Sequence, residues 1–441
     1  MSEQYSQEQQ IHSLSMLANA TFGVSFTQAR GGVSGLQSYA VTVVTQTLAN
    51  STVQGLIGSD WTTVWGPVVY SNDPGAGSVV ADNTMVLFNS PSQNLFVLAI
   101  AGTNIDSMYD WFKEDFAVNG RVSWSSIVGS DVHIPFEDLL AAVSGGTATG
   151  LQILLGMQDS NGTTMVEALS TAAGKLKDAA TLAVAGHSLG GALSPAMALY
   201  LHDMQQTSGN WNASGKINSI QAWPTAGPTP GNGSWAAYYE YVVGTELSQY
   251  GAPLSYTSKY NTLDVIPQAW QSSTLADVPT LYEPSISQPK GSTPAEAITG
   301  VLAVAAVLNA VDTGNPFSLF NQVTPWTSLA GTFDTATDEA IQTKLKNIGL
   351  AIPSGLSAYQ PYFENLARFL AQMAYQHTTA YNTLLDIEDF ASEYGAIKQN
   401  NDPDGKSDAQ LHEEALGRRL GVDLSKLKQL DSAAPAAQDM A

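Results

Sequence analysis

Thr181-Leu182-Ala183-Val184-Ala185-Gly186-His187-Ser188-Leu189-Gly190-Gly191 decides how this chain folds. The run Thr181 to Ala185 is short, apolar and closed by Gly186, which predicts a buried strand. From Leu189 to Gln205 the apolar residues recur at helical spacing. Between the two lies Gly186-His187-Ser188-Leu189-Gly190, the only G-x-S-x-G of the chain. Glycines on either side let a strand turn sharply into a helix without Cβ clashes, which leaves Ser188 at the apex with its hydroxyl exposed. Ser188 is therefore a candidate nucleophile. A serine hydroxyl is a weak nucleophile at neutral pH and needs a base oriented by a carboxylate. In this strand-turn-helix setting the partners follow in the order Ser, Asp, His. Of the six histidines, His12, His133 and His187 come too early, and His202 lies on the helix just after the turn, where it caps or packs. His377 and His412 are left.

Working outward, the spacing predicts a helix over about 35–58, an extended segment from Trp61 to Tyr70, and an antiparallel hairpin from Thr84–Phe88 and Asn94–Ala101. Further strands are expected at Asn218–Trp223 and Tyr256–Tyr260. Strands alternating with helices predict a mostly parallel sheet covered on both faces. After Pro267 the chain becomes helical and loop-rich, punctuated by Pro279, Pro284, Pro289, Pro294 and Pro316, and reads as an insertion. The expected organisation is a core over 1–267, a helical or loop insertion and possible cap over 268–375, a return to the core over 376–430, and a frayed tail over 431–441. Acidic residues accumulate from 386 to 414, and Asp402-Pro403-Asp404-Gly405 reads as a solvated turn.

The 441 residues carry a formal charge of −22, with 44% apolar and 13% charged residues, which describes a globular protein with ample core. Such a charge repels phosphate backbones and argues against nucleic-acid binding. The absence of cysteine removes disulfides, thiolate zinc sites and a thiol nucleophile. No His and carboxylate spacing suits a metal, no Gly-rich loop has a nucleotide-binding form, and no cofactor is expected. The N-terminus lacks the pattern of a Sec-type signal peptide, so a compartment is not assigned. The apolar stretch Ala297–Val311 falls short of the roughly twenty residues of a spanning helix, so no transmembrane segment is expected.

Several segments together resemble the class 3 lipases, the fungal-type triacylglycerol lipase family. Besides the pentapeptide, Ala99-Ile100-Ala101-Gly102-Thr103 followed by Asp110-Trp111 is similar to that family's strand ending in Gly-Ser/Thr and then Asp-Trp. Val132-His133 with Phe136, Thr225-Ala226-Gly227-Pro228-Thr229-Pro230-Gly231-Asn232, and Asn261-Thr262-Leu263-Asp264-Val265-Ile266-Pro267 follow in the family's order over about 85–267. The resemblance implies an α/β-hydrolase fold, here with a helical insertion between the acid and the histidine. It implies Ser188 as nucleophile, Asp264 as the orienting carboxylate with Asp277 as fallback, and an oxyanion hole from the N–H groups of Thr103 and Leu189. Leu189 also opens a helix, where backbone N–H groups favour negative charge. His377 is the preferred base, with Tyr381 four places on where the family's aromatic residue usually stands three places on; His412, in Leu411-His412-Glu413-Glu414, which reads as the exposed face of a charged helix, is the alternative. His187 is expected to pack, and Asp110, Trp111 and His133 to brace the sheet and the start of the lid.

The implied activity is hydrolysis of carboxylic esters of acyl chains, with a lipid or ester substrate and a lipid–water interface as partner. The alternatives are a phospholipase A1-type hydrolase, including a signal-less exported effector, and a non-catalytic lipid-binding module. Two segments are expected to cover the serine: Asn104–Val128 in the lid position, with Met108, Tyr109, Trp111, Phe112 and Trp124, and a helix over 295–311 followed by Phe317, Leu319, Phe320 and Trp326.

Overall fold

Leu182 and Val184 face one side of their strand and Ala183 and Ala185 the other, and all four are fully buried. A strand dry on both faces needs helices on both. The computed structural model, which describes residues 4–103, 120–134, 140–244, 251–286, 319–347 and 360–420, supplies them. On the Leu182 side lie α3 (Gly145–Gly156) and α4 (Leu189–Asp203), whose Leu151, Leu193 and Met197 complete one core. On the other side lie α1 (Gln7–Leu17) and α2 (Gly32–Ala49), with Ile11, Leu14, Leu36 and Val43 packed on the two alanines.

Among the described residues the main sheet has eight strands: β1 (Thr62–Tyr70), β2 (Asn83–Ser90), β3 (Leu95–Ile100), β4 (Ala180–His187), β5 (Ile217–Thr225), β6 (Leu254–Tyr256), β7 (Ser258–Asn261) and β8 (Trp326–Leu329). Their order is β8-β7-β5-β4-β3-β2-β1, with β6 also on β5. From β3 to β8 every pairing is parallel, and β2 pairs antiparallel with both β1 and β3. The expected hairpin is β2–β3, in register from Met85↔Ile100 to Ser90↔Leu95. The result is the α/β-hydrolase architecture, with β4 at its centre carrying Ser188 at its carboxyl end.

Several details depart from the expectation for local reasons. The helix over 35–58 is two helices, because Asn50 leaves helical geometry and caps the second by accepting from Thr52 N–H (2.8 Å) and Val53 N–H (3.1 Å). The strand expected at Tyr256–Tyr260 is split at Thr257 into β6 and β7. Trp124, placed with the lid, is a core residue: it is fully buried and its Nε1–H donates to Asp203 Oδ2 at 2.8 Å. Within 268–375, Trp326–Leu329 is the edge strand β8, parallel to β7, and Trp326 stacks on Tyr260 at 3.9 Å. Residues 104–119 of the expected lid, with Met108, Tyr109, Asp110, Trp111 and Phe112, and the helix over 295–311 with Phe317 lie outside the described residues, whereas Arg121–Ser123 is a short strand and Trp124–Val128 a short helix.

The chain then runs through α5 (Thr335–Asn347), α6 (Gln360–His377), α7 (Thr379–Leu384), α8 (Glu388–Asn401) and α9 (Asp408–Leu420). Ile341 and Leu345 of α5 pack with Phe369, Leu370 and Met373 of α6 and with Val265 and Val278 from the loop after β7. This third core fixes the end of α6, and with it His377, against the segment that holds Asp264. Among the described residues no helix is long and apolar enough to cross a membrane.

Candidate active site

Ser188 joins β4 to α4 with φ 61° and ψ −122°, a left-handed φ that a residue with a Cβ adopts only under constraint. The constraint is close backbone packing. A Cβ on Gly186 would stand 2.3 Å from the carbonyl oxygen of Gly190, and one on Gly190 would stand 2.2 Å from that of Ile100. The two glycines let helix, turn and neighbouring strand meet backbone to backbone, and Ser188 N–H donates to Thr225 O at 3.1 Å. The serine is 5% exposed, at the wall of a cavity of about 390 Å³ that His377 and Thr103 also line.

Asp264 sits three residues past β7, where its own N–H donates to Asn261 O at 3.0 Å. Its carboxylate is fully buried and accepts three hydrogen bonds. Oδ1 accepts from Ile266 N–H at 3.0 Å, and Oδ2 from the Tyr381 hydroxyl at 2.9 Å and from His377 Nδ1 at 2.8 Å. A carboxylate can only accept, so the Nδ1 of His377 carries the hydrogen and Nε2 is the nitrogen able to take up a proton. Asn261 ties the same corner together: its side chain donates to Gln376 O (2.9 Å) and Gln376 Oε1 (2.8 Å). Burying a carboxylate without such donors would be prohibitive.

Tyr381 and His187 are the residues that sequence reasoning underused. The Tyr381 hydroxyl accepts from Asn261 N–H at 2.8 Å while donating to Asp264, and burial pushes its pKa well up, with the Asp264 charge adding to the effect. Its spacing from His377 marked it, but its partner did not. Replacing Tyr381 with Phe leaves a buried N–H without its acceptor and costs about 1–3 kcal/mol of stability, to be read from the urea unfolding midpoint. His187, expected to pack, instead donates Nε2–H to the carbonyl oxygen of His377 at 2.6 Å, with Nδ1 3.3 Å from Thr225 Oγ1. Burial, reinforced by the His377 ring beside it, holds its pKa well below the usual value, so it serves as a neutral brace. Its place beside Ser188 was the only sequence signal.

Thr103 follows β3, and its buried hydroxyl has no hydrogen-bond partner among the described residues. The preceding N–H, that of Gly102, is taken by Asn19 Oδ1 at 2.8 Å. Leu189 is the first residue of α4, whose leading N–H groups lack partners within the helix. The remaining wall comes from both ends of the chain: His12, Met16 and Asn19, then Tyr394, Lys398 and His412. His412, expected on an exposed face, lines the cavity instead, its ring 5.5 Å from that of Phe22. Burial lowers the pKa of both His12 and His412 to about 4, so both are neutral at neutral pH. Of the two histidines that chain order allowed, His377 is the one on the carboxylate of Asp264. His202 packs as expected, with Nδ1 3.0 Å from Asp203 Oδ1. Among the described residues no group of histidine and carboxylate side chains could hold a metal ion.

The family model described as Lipase (class 3) matches residues 97–272, the segment that holds most of β3, the serine turn, β5 and Asp264. No curated protein matches the chain. Among solved structures, that of M37 lipase is similar over 95% of this chain and 98% of its own, at 21% identity and a TM-score of 0.62. A triacylglycerol lipase from Penicillium expansum is similar at 17% identity over 48% of this chain and 63% of its own, with a TM-score of 0.33. The Rhizomucor miehei lipase propeptide complex matches at 18% identity over 60% of this chain and 64% of its own, with a TM-score of 0.36. Residues 97–272 thus match the class 3 lipase model, and the likeness to M37 lipase extends a shared α/β-hydrolase fold over nearly the whole chain.

Proposed function

We propose that the protein hydrolyses carboxylic esters of acyl chains through an acyl-enzyme on Ser188. His377 Nε2 takes the hydroxyl proton as Ser188 Oγ attacks the ester carbonyl, and Asp264 holds the ring by its Nδ1–H and stabilises the imidazolium that forms. The N–H groups of Thr103 and Leu189, with the Thr103 hydroxyl, bind the oxyanion; losing one such donor typically costs about 3 kcal/mol of transition-state stabilisation. Collapse of the tetrahedral species breaks the C–O bond, and the proton on His377 passes to the departing alcohol. Water, deprotonated by the same nitrogen, then attacks the acyl-serine, and a second collapse releases the carboxylic acid and restores Ser188. His187 and Tyr381 are positioning residues, one bonded to the backbone of His377 and the other to the carboxylate of Asp264.

The observation that carries this reading is the 2.8 Å contact between His377 Nδ1 and Asp264 Oδ2 at the wall of the cavity that also presents Ser188. A fluorophosphonate probe, which reacts only with an activated serine, is expected to label the protein at Ser188 and at no other residue on peptide mapping. An unlabelled protein that remains folded would contradict the reading. Product analysis on triglyceride against phosphatidylcholine then separates a triacylglycerol-type from a phospholipase A1-type preference.

A further inference from the structure

Two stretches of residues that line the cavity with Ser188 meet at Lys398. One runs from Gly102, whose N–H is held by Asn19, to Phe22, whose carbonyl oxygen accepts from Lys398 Nζ at 2.8 Å. The other follows the chain from Tyr381 through Leu385 and Ile387 to Tyr394 and again Lys398. Lys398 is 3% exposed; its ammonium also donates to Asp408 Oδ1 at 2.6 Å and lies 5.5 Å from the centre of the Phe22 ring. Asp408 reaches solvent, with a side chain 42% exposed. The cavity that presents Ser188 is thus also lined by apolar side chains and by a buried ammonium bonded to a carbonyl and a carboxylate.

We propose that this cavity takes the acyl chain of the ester and that Lys398 is the stop that sets the longest chain accepted. The inference rests on Ser188 being the residue acylated. Each methylene laid against the apolar walls contributes to binding in the transition state, about fourfold in kcat/KM. A methyl end brought against Lys398 gains no apolar burial and crowds a charged group that cannot give up its partners. The rise with chain length therefore breaks where the chain meets the ammonium.

Gly395, one turn before Lys398 on α8, offers a test that spares the fold. It lines the cavity, and a Cβ placed on it meets nothing within 4 Å, so a leucine there is accommodated at the cavity wall without a clash at its Cβ and suits the helix better than glycine. The measurement is kcat/KM for straight-chain p-nitrophenyl esters from acetate through palmitate, on the full chain and on two variants. The wild type is expected to rise about fourfold per methylene and break before palmitate. Gly395→Leu should break at a shorter chain, and Lys398→Met, which replaces the ammonium by an apolar side chain of similar length, at a longer one. A common break in all three proteins, or a steady rise through palmitate in the wild type, overturns the inference while leaving the serine chemistry standing. Should the wild type cleave none of these esters, the reading of Ser188 fails. The length inference is then decided by calorimetric titration of the same three proteins with fatty acids from butyrate through palmitate, where an unshifted or absent break overturns it.

Discussion

Replacing Ser188 with alanine is expected to lower kcat on an ester substrate by roughly 10⁶-fold, the scale on which removal of an activated serine acts in enzymes of this chemistry. The effect is large because Ser188, His377 and Asp264 act as one unit in the proposed mechanism: without the hydroxyl, the base has no proton to take and the oxyanion donors have no adduct to hold. The same substitution should barely move the unfolding midpoint. Alanine inherits the left-handed φ of 61° with a Cβ of its own, so the turn keeps its strain, and the backbone bond to Thr225 O is untouched. Turnover within tenfold of wild type, in a protein shown by mass spectrometry to carry the substitution, would remove Ser188 from the mechanism.

The second large effect is expected at Asp264. Asparagine keeps the size of the side chain but can no longer stabilise the imidazolium, and its amide favours the wrong tautomer of His377; comparable changes elsewhere lower kcat about 10⁴-fold. Asparagine is a better probe than alanine. Alanine would strip three donors of their acceptor at once, Ile266 N–H, the Tyr381 hydroxyl and His377 Nδ1–H. It would therefore confound lost chemistry with about 1–3 kcal/mol for each donor left unsatisfied. Stopped-flow measurement of the p-nitrophenol burst separates slowed acylation from slowed turnover. A burst rate for Asp264→Asn near that of wild type would assign the carboxylate to holding the loop alone.

The parts of this molecule that could be read from its sequence are those whose physics is local. The strand before Ser188, the two glycines of the turn and the β2–β3 hairpin follow from apolar runs and turn residues within a few positions of one another. Asp264 was accessible through the resemblance of its loop, Asn261 to Pro267, to the class 3 lipase pattern. Features made by distant partners were not. Chain order reduced the histidines to two, but the contact that distinguishes them spans 113 positions. His187 looked like packing because its acceptor is a carbonyl 190 positions later. His412 looked exposed because the helix carrying it is rich in charge, whereas its ring is covered by Phe22 from near the other end of the chain. Trp124 was assigned to a lid by its place in the order, and a buried Asp203 on α4 captured it instead.

The distance between the serine turn and the imidazole that faces it also sets a clock on biosynthesis. His187 and His377 are 190 positions apart, and a ribosome working at about 5–20 residues per second needs roughly 10–40 s to make the chain between them. Throughout that interval a growing polypeptide can hold β4 and its bend yet lacks His377, the base of the proposed mechanism. In that mechanism hydrolytic competence therefore waits on the synthesis of α6, and a product truncated before His377 is expected to be inert towards esters.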